Sequence, residues 1–461
     1  MRTRMPGNPA GRGSTYRRAR LFCVIICGRV QFLLLFGITA CVWVALAMGE
    51  STPSPYQMIG GHFGMTVTLL ANGEVLIAGG GDNHASATNL AEIYNPATDA
   101  FTPAGSGLMP TERTHHTATL LADGRVLIAG GMNRVGKALD SAILFDPSSG
   151  KFIPTGSMAE PRYDAAATLL PDGRVLISGG ASTPQGYAGA NQQRQEEQSL
   201  DTAELYDSRT GKFSAAGRLE RVYDLSSGKI MMRASMTAAR REHSATLITA
   251  SPLSGRVLIA GGIGDRNKPI ASAELYDPAA NTFKATGDMT VARTYQGVTA
   301  LRDGRVLIAG GTDADDRALA TAELYDPAVG KFALTPDPMQ HARYRQVTVL
   351  LPDGEVLLAG GASNAGALAN AEIFDPRTDK FRPTGLMKDF RMAAGAVLLH
   401  NGTVFIAGGY NNRPSYAPGA ANMGMASVAF RVLNTAEIYN PVSAQFFDTR
   451  SLGRGSGPPP A

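Results

Sequence analysis

Between about residues 60 and 450 the chain alternates short apolar runs with tight polar turns, in an order that keeps returning. Leu120-Leu121 is followed by Ala122 and the turn pair Asp123-Gly124, and then by Val126-Leu127-Ile128-Ala129, which ends on Gly130-Gly131. The same order recurs with Gly pairs at Gly79-Gly80, Gly179-Gly180, Gly261-Gly262, Gly310-Gly311, Gly360-Gly361 and Gly408-Gly409, at steps of 51, 49, 82, 49, 50 and 48 residues. Short apolar runs bounded by turn residues predict strands. A fixed period near 50 residues predicts an array of one repeated unit.

Each unit reads as four strands, A to D. Strand A closes on an apolar pair, such as Leu69-Leu70 or Leu350-Leu351, and Asn-Gly or Asp-Gly follows. Those dipeptides tolerate the positive φ of a two-residue hairpin. Strand B is almost wholly apolar and so predicts burial on both faces. Strand C is Ala-Glu-Ile/Leu-Tyr, as in Ala91-Glu92-Ile93-Tyr94. A turn of the Asp-Pro-x-x-Gly kind then leads to strand D. An aromatic pair seven residues apart recurs in every unit: Tyr94/Phe101, Phe145/Phe152, Tyr206/Phe213, Tyr276/Phe283, Tyr325/Phe332, Phe374/Phe381 and Tyr439/Phe446.

An apolar run, Gly-Gly and two spaced aromatics together resemble the kelch repeat, over about residues 60–449, with Phe where that family usually has Trp. The resemblance implies an all-β chain: a seven-bladed β-propeller of four-stranded antiparallel blades. Sheets that are apolar on both faces must bury them against two neighbours. All four strand motifs of the seventh unit lie in 394–449, and Ser51-Thr52-Pro53-Ser54-Pro55 makes a poor strand. Blade 7 is therefore expected to close with its own C-terminal strand. The expected divisions are a leader at 1–47, a linker at 48–60, the propeller at 61–449 and a disordered tail at 450–461.

Antiparallel order puts the B–C and D–A loops on one face. Three segments outgrow their peers there: 181–202, 410–435 and the D–A passage 214–240, where Val222 to Lys229 echoes a C–D turn and predicts an extra hairpin. Such excursions are where binding surfaces usually lie.

Charge changes the picture only through the leader. The chain carries a formal +4. Residues 1–47 hold seven Arg and no acid, and the remainder has 36 basic against 39 acidic residues. A near-neutral propeller has no electrostatic footprint for nucleic acid. The leader's basic flank, its apolar run Gln31 to Val44 and its Ala45-Leu46-Ala47 ending describe a secretory signal peptide cleaved after Ala47. An uncleaved membrane anchor within 21–48 is the alternative, and Ile38-Thr39-Ala40-Cys41 loosely resembles a lipoprotein box. Each version puts the repeats in a secreted, periplasmic, extracellular or membrane-anchored setting.

Six units place an Arg just before strand A: Arg113, Arg162, Arg240, Arg293, Arg343 and Arg391; His62 takes that place in the first unit. One reading makes Arg162, Arg113, Arg293, Arg343, Arg391, His62 and His115 a cationic mouth of the central channel. The other pairs each Arg with the strand C Glu of the preceding unit: Arg113 with Glu92, Arg240 with Glu204, Arg293 with Glu274, Arg343 with Glu323 and Arg391 with Glu372. Unit 2 has Ile143 where the others have Glu, so that pairing leaves Arg162 partnerless and facing a ligand.

Kelch propellers include the main domain of galactose oxidase, a secreted copper radical enzyme whose centre needs a Tyr cross-linked to Cys plus Tyr and His ligands. The three cysteines here, Cys23, Cys27 and Cys41, all precede the repeats, and no separate C-terminal domain is expected to supply a ligand. No catalytic residue, metal site or cofactor is assigned. The expected function is an exported, monomeric module that binds a protein or glycan through the loop-rich face. The alternatives are an enzyme acting on an extracellular sugar, with Asp313, Asp315 and Asp316 near the axis, and a structural envelope protein.

Overall fold

In the computed structural model the described residues are 57–449, without 85, 183–197, 218–219, 225–228, 234, 413, 416–426 and 429–430. The leader and the tail lie outside them, as does most of the excursion at 181–202. Among the described residues there is no helix, and hence none long and apolar enough to cross a membrane.

Seven four-stranded antiparallel sheets follow one another at 66–108, 117–154, 166–216, 244–285, 297–334, 347–386 and 395–448, each in the order A-B-C-D. They are called blades 1 to 7. The seven A strands neighbour one another in sequence, and the last returns to the first, which closes the ring around an axis. Blade 7 is completed by Gln445–Asp448, and among the described residues it takes no strand from before blade 1. The ring is sealed instead by the stretch before blade 1. Met58 N–H donates to Asn434 O and His62 N–H to Leu433 O, so residues 57–60, expected as linker, already belong to the propeller.

Strand B holds the ring together because its two faces serve two interfaces. In blade 1, Val75 and Ile77 pack with Phe405 and Ala407 of blade 7, while Leu76 and Ala78 pack with Val126 and Ile128 of blade 2. Burying one such side chain contributes about 1.5–3 kcal/mol. The aromatic pairs stand directly opposite each other on strands C and D, with Tyr94 and Phe101 ring centroids 5.0 Å apart. The Gly pair is needed for close approach. A Cβ on Gly79, at φ +62°, would stand 2.4 Å from the Arg113 carbonyl of the next blade's entry loop. Gly80 N–H donates to that same carbonyl at 2.8 Å. The predicted hairpin forms from Glu220–Asp224 and Lys229–Arg233.

Candidate functional site

Every blade is entered by a loop of one form: a Met, three residues, an Arg or His, one residue, and then a residue at positive φ. The Met column (Met58, Met109, Met158, Met236, Met289, Met339 and Met387) is buried. So is the Arg column, with Arg113, Arg240, Arg293 and Arg343 at 0% exposure and Arg162 and Arg391 at 1%. None of them opens on the channel mouth.

The expected pairing is corrected by one blade. Each Arg reaches forward to the strand C Glu of the blade it enters: Arg162 to Glu204 (3.0 Å), Arg240 to Glu274 (2.9 Å), Arg293 to Glu323 (2.7 Å), Arg343 to Glu372 (2.7 Å) and Arg391 to Glu437 (2.8 Å). His62 meets Glu92 at 3.4 Å. The reason is position: the loop's main-chain carbonyl meets the preceding blade's Gly pair, while the Arg side chain reaches forward to its own blade's. Arg293 Nη1 donates to Gly310 O at 2.8 Å and to Thr321 O at 3.0 Å, which aims Nη2 at Glu323. The carboxylate in turn accepts from Thr290 N–H and Val291 N–H.

Arg113, and not Arg162, therefore lacks a carboxylate. Buried Ile143 stands where the Glu would be, and Pro110 replaces a residue whose N–H would bind it. Arg113 falls back on Gly130 O and on the carbonyl and hydroxyl of Ser141. Burial pushes its pKa down to about 10.

Two residues beyond the Arg column stands a ring that differs in every blade: Gly64, His115, Asp164, Glu242, Tyr295, Arg345 and Ala393. All seven adopt φ between +51° and +60°. Backbone bonds link ring neighbours: His115 N–H to Gly64 O (2.9 Å), Asp164 to His115 (3.1 Å), Glu242 to Asp164 (3.1 Å), Arg345 to Tyr295 (3.0 Å) and Ala393 to Arg345 (3.0 Å). Six of the ring residues, without Asp164, and four of the residues after them (His243, Gln296, Gln346 and Ala394) line an axial cavity of about 280 Å³. Of the residues proposed from sequence for the mouth, His115 alone is in it. Asp313, Asp315 and Asp316 sit instead on the B–C loop of blade 5, outside the cavity lining.

The ring is an electrostatic network. His115 Nδ1 and Asp164 Oδ1 are 2.7 Å apart. Arg345 reaches Glu242 Oε1 at 3.3 Å, and its guanidinium carbon lies 4.1 Å above the Tyr295 ring. Burial opposes charge on His115, but the Asp164 carboxylate outweighs it and raises the imidazole pKa. Burial would likewise raise Asp164, yet His115, Arg345 and Arg241 hold it low. Glu242 is pushed up to about 7 by burial and by Asp164. Burial and then Glu242 push Tyr295 up to about 12. Just behind, His116 and His243 turn to Thr66 Oγ1 and Ser178 Oγ, each at 3.0 Å. Burial drives the His243 pKa down to about 3.

A larger cleft of about 500 Å³ opens between the A–B turns of blades 1 and 7, on the opposite face, lined by Asn72, Glu74, Asn95 and His400. Equivalent turns of other neighbouring blades form clefts of the same kind, so its shape follows from the repeat. The lining of the axial cavity, by contrast, is not dictated by the repeat.

No family model and no curated protein matches the chain. Among solved structures, the chain is similar to a fungal alcohol oxidase of the AA5 family in complex with copper. The TM-score is 0.54 at 16% identity, covering 77% of this chain and 71% of that one. At this identity the likeness shows the fold alone, a β-propeller. The axial residues do not fit a copper radical centre: the ring offers one imidazole and two carboxylates, and no Cys follows Cys41.

Proposed function

We propose that this protein is an exported binding module that takes a carbohydrate, one sugar unit deep, in the axial cavity. The carrying observation is the cavity wall. It combines the Tyr295 side chain, one ring face of which the Arg345 guanidinium covers, with donors and acceptors at His115, Glu242, Gln296, Arg345 and Gln346. Ligand sites usually measure about 300–1,000 Å³, so the volume of about 280 Å³ suits a single sugar unit better than a protein segment. The excursions at 214–240 and 410–435, which strand order assigns to the same face, would hold the rest of a longer glycan. The leader's basic flank, apolar run and Ala-x-Ala ending support export. Titration with mono- and oligosaccharides, with Tyr295→Ala as control, tests the reading. Saturable binding that the substitution weakens tenfold supports it; binding untouched by it places the ligand elsewhere.

A second reading, an enzyme acting on sugar, draws on one distance. Asp164 and Glu242 offer oxygens within 4.8 Å of each other, close to the roughly 5 Å between carboxyl groups in retaining glycoside hydrolysis. Release of reducing ends from oligosaccharides, lost in Asp164→Asn, would favour it.

A further inference from the structure

Three loops, entering blades 2, 3 and 4, bring His115, Asp164 and Glu242 together. They offer one nitrogen and two oxygen donors, all within 4.8 Å of one another, the one such grouping among the described residues. Donors that share an ion at about 2.0–2.2 Å stand about 3–4.4 Å apart, close to the 4.8 Å within which these atoms lie. Across the ring stand Ala393 and Gly64, while the Arg345 guanidinium lies within charge reach of all three side chains and has to turn aside for an ion. Arg345 occupies only Oε1 of Glu242 and leaves Oε2 without a hydrogen bond among the described residues.

An independent feature points to a ligand in the same cavity. Gln346 is more than nine-tenths buried, and its Nε2 donates to Ala309 O at 2.8 Å. That bond fixes the amide and leaves Oε1 with no partner. Gln296 repeats the arrangement, with Nε2 on Ala260 O at 3.1 Å and Oε1 unpartnered. Both line the axial cavity. A desolvated acceptor left unpaired is costly, which marks this side of the cavity wall as one the protein alone does not fully satisfy.

We infer that His115, Asp164 and Glu242 bind one divalent cation of the Zn²⁺ or Mn²⁺ class, with its open positions turned to the cavity. One imidazole and two carboxylates suit such borderline-to-hard ions. Three protein ligands leave coordination room, as in sites that accept a substrate and unlike closed structural sites. The open positions take hydroxyl oxygens of the bound sugar. That last step rests on the carbohydrate reading above; the cation site does not.

The experiment is calorimetry on the full chain stripped with EDTA, titrated with ZnCl₂ or MnCl₂ alone. One ion per chain is expected, with affinity at least tenfold weaker in His115→Ala, Asp164→Asn and Glu242→Gln. Thermal unfolding of these variants in EDTA should match that of the unmodified protein. Pulsed EPR of the unmodified Mn²⁺ protein should show imidazole nitrogen coupling, a readout independent of variant folding. Absence of binding, binding that survives all three substitutions, or a spectrum without nitrogen coupling overturns the site. Sugar titrations with and without EDTA separate the two readings. Cation binding without sugar binding overturns the carbohydrate reading alone. Sugar binding indifferent to EDTA overturns the cation's part in holding it.

Discussion

Arg293 and Tyr295 are two residues apart on one loop, yet they belong to different problems. The Arg column is the same in six blades, fully buried, and spends its donors on the Gly pair and one Glu. The ring column shares only its backbone conformation, and its side chains differ in all seven blades while six of the seven positions face the axial cavity. Identity across blades marks what every blade needs to stand against its neighbour. Difference across blades, at a position where the backbone is held constant, marks what the molecule needs only once.

The sharpest way to break this contrast is to truncate one residue of each kind. Arg293→Met leaves Glu323 buried without its partner at 0% exposure and should cost about 3–5 kcal/mol in chemical denaturation. Removing both, in Arg293→Met/Glu323→Leu, should return part of the loss. A cost near zero for the single variant would mean the buried pair is dispensable.

Tyr295→Ala should do the reverse. Sugar affinity should fall at least tenfold, about 1.4 kcal/mol, while stability changes by less than about 0.5–1 kcal/mol. A ring variant that unfolds the protein without touching binding would erase the distinction.

Blade 2 sharpens the point, because there the Arg stands without its Glu. Ile143→Glu alone offers Arg113 a carboxylate that still misses one backbone donor at Pro110, and it should destabilise by about 1–3 kcal/mol. Adding Pro110→Ala should recover at least about 1 kcal/mol of that. If the two substitutions are merely additive, the Glu and the loop N–H do not form a unit.

The smallest effect is expected at a departure far from the ring. Tyr94 O–H donates to Asp99 in blade 1 as Tyr276 O–H donates to Asn281 in blade 4, each at 2.8 Å. Burial pushes Asp99 up to about 6, opposed only by the Tyr94 bond. The folded chain thus holds the proton more tightly than the unfolded one. This contribution is fully present below about pH 4 and is lost as pH rises through 6. Asp99→Asn should therefore gain in relative melting temperature as pH rises from 4 to 7, with sugar binding unchanged.

Much of the propeller was legible because its physics is repeated. Seven Gly pairs and seven aromatic pairs announce seven sheets, and the apolar B strands announce that both faces are covered. The Met column, just as regular, went unread, although repetition alone would have exposed it. The Arg–Glu partners were misassigned because the Glu of one unit is nearer in sequence to the next unit's Arg. Only the fold shows each Arg side chain turning forward to its own blade's Gly pair. The ring was missed for a different reason. A search for recurring residues passes over a column reading Gly, His, Asp, Glu, Tyr, Arg, Ala, and that lack of recurrence was itself the signal. The expected leader, anchor and tail lie outside the described residues.

The main-chain bonds that join ring neighbours carry a consequence of their own. Because five of the seven loops' N–H groups find the previous loop's carbonyl whatever side chain stands between them, the mouth keeps its shape while its lettering is exchanged. A lineage built on this wheel could revise its ligand one spoke at a time, each revision leaving the hub intact.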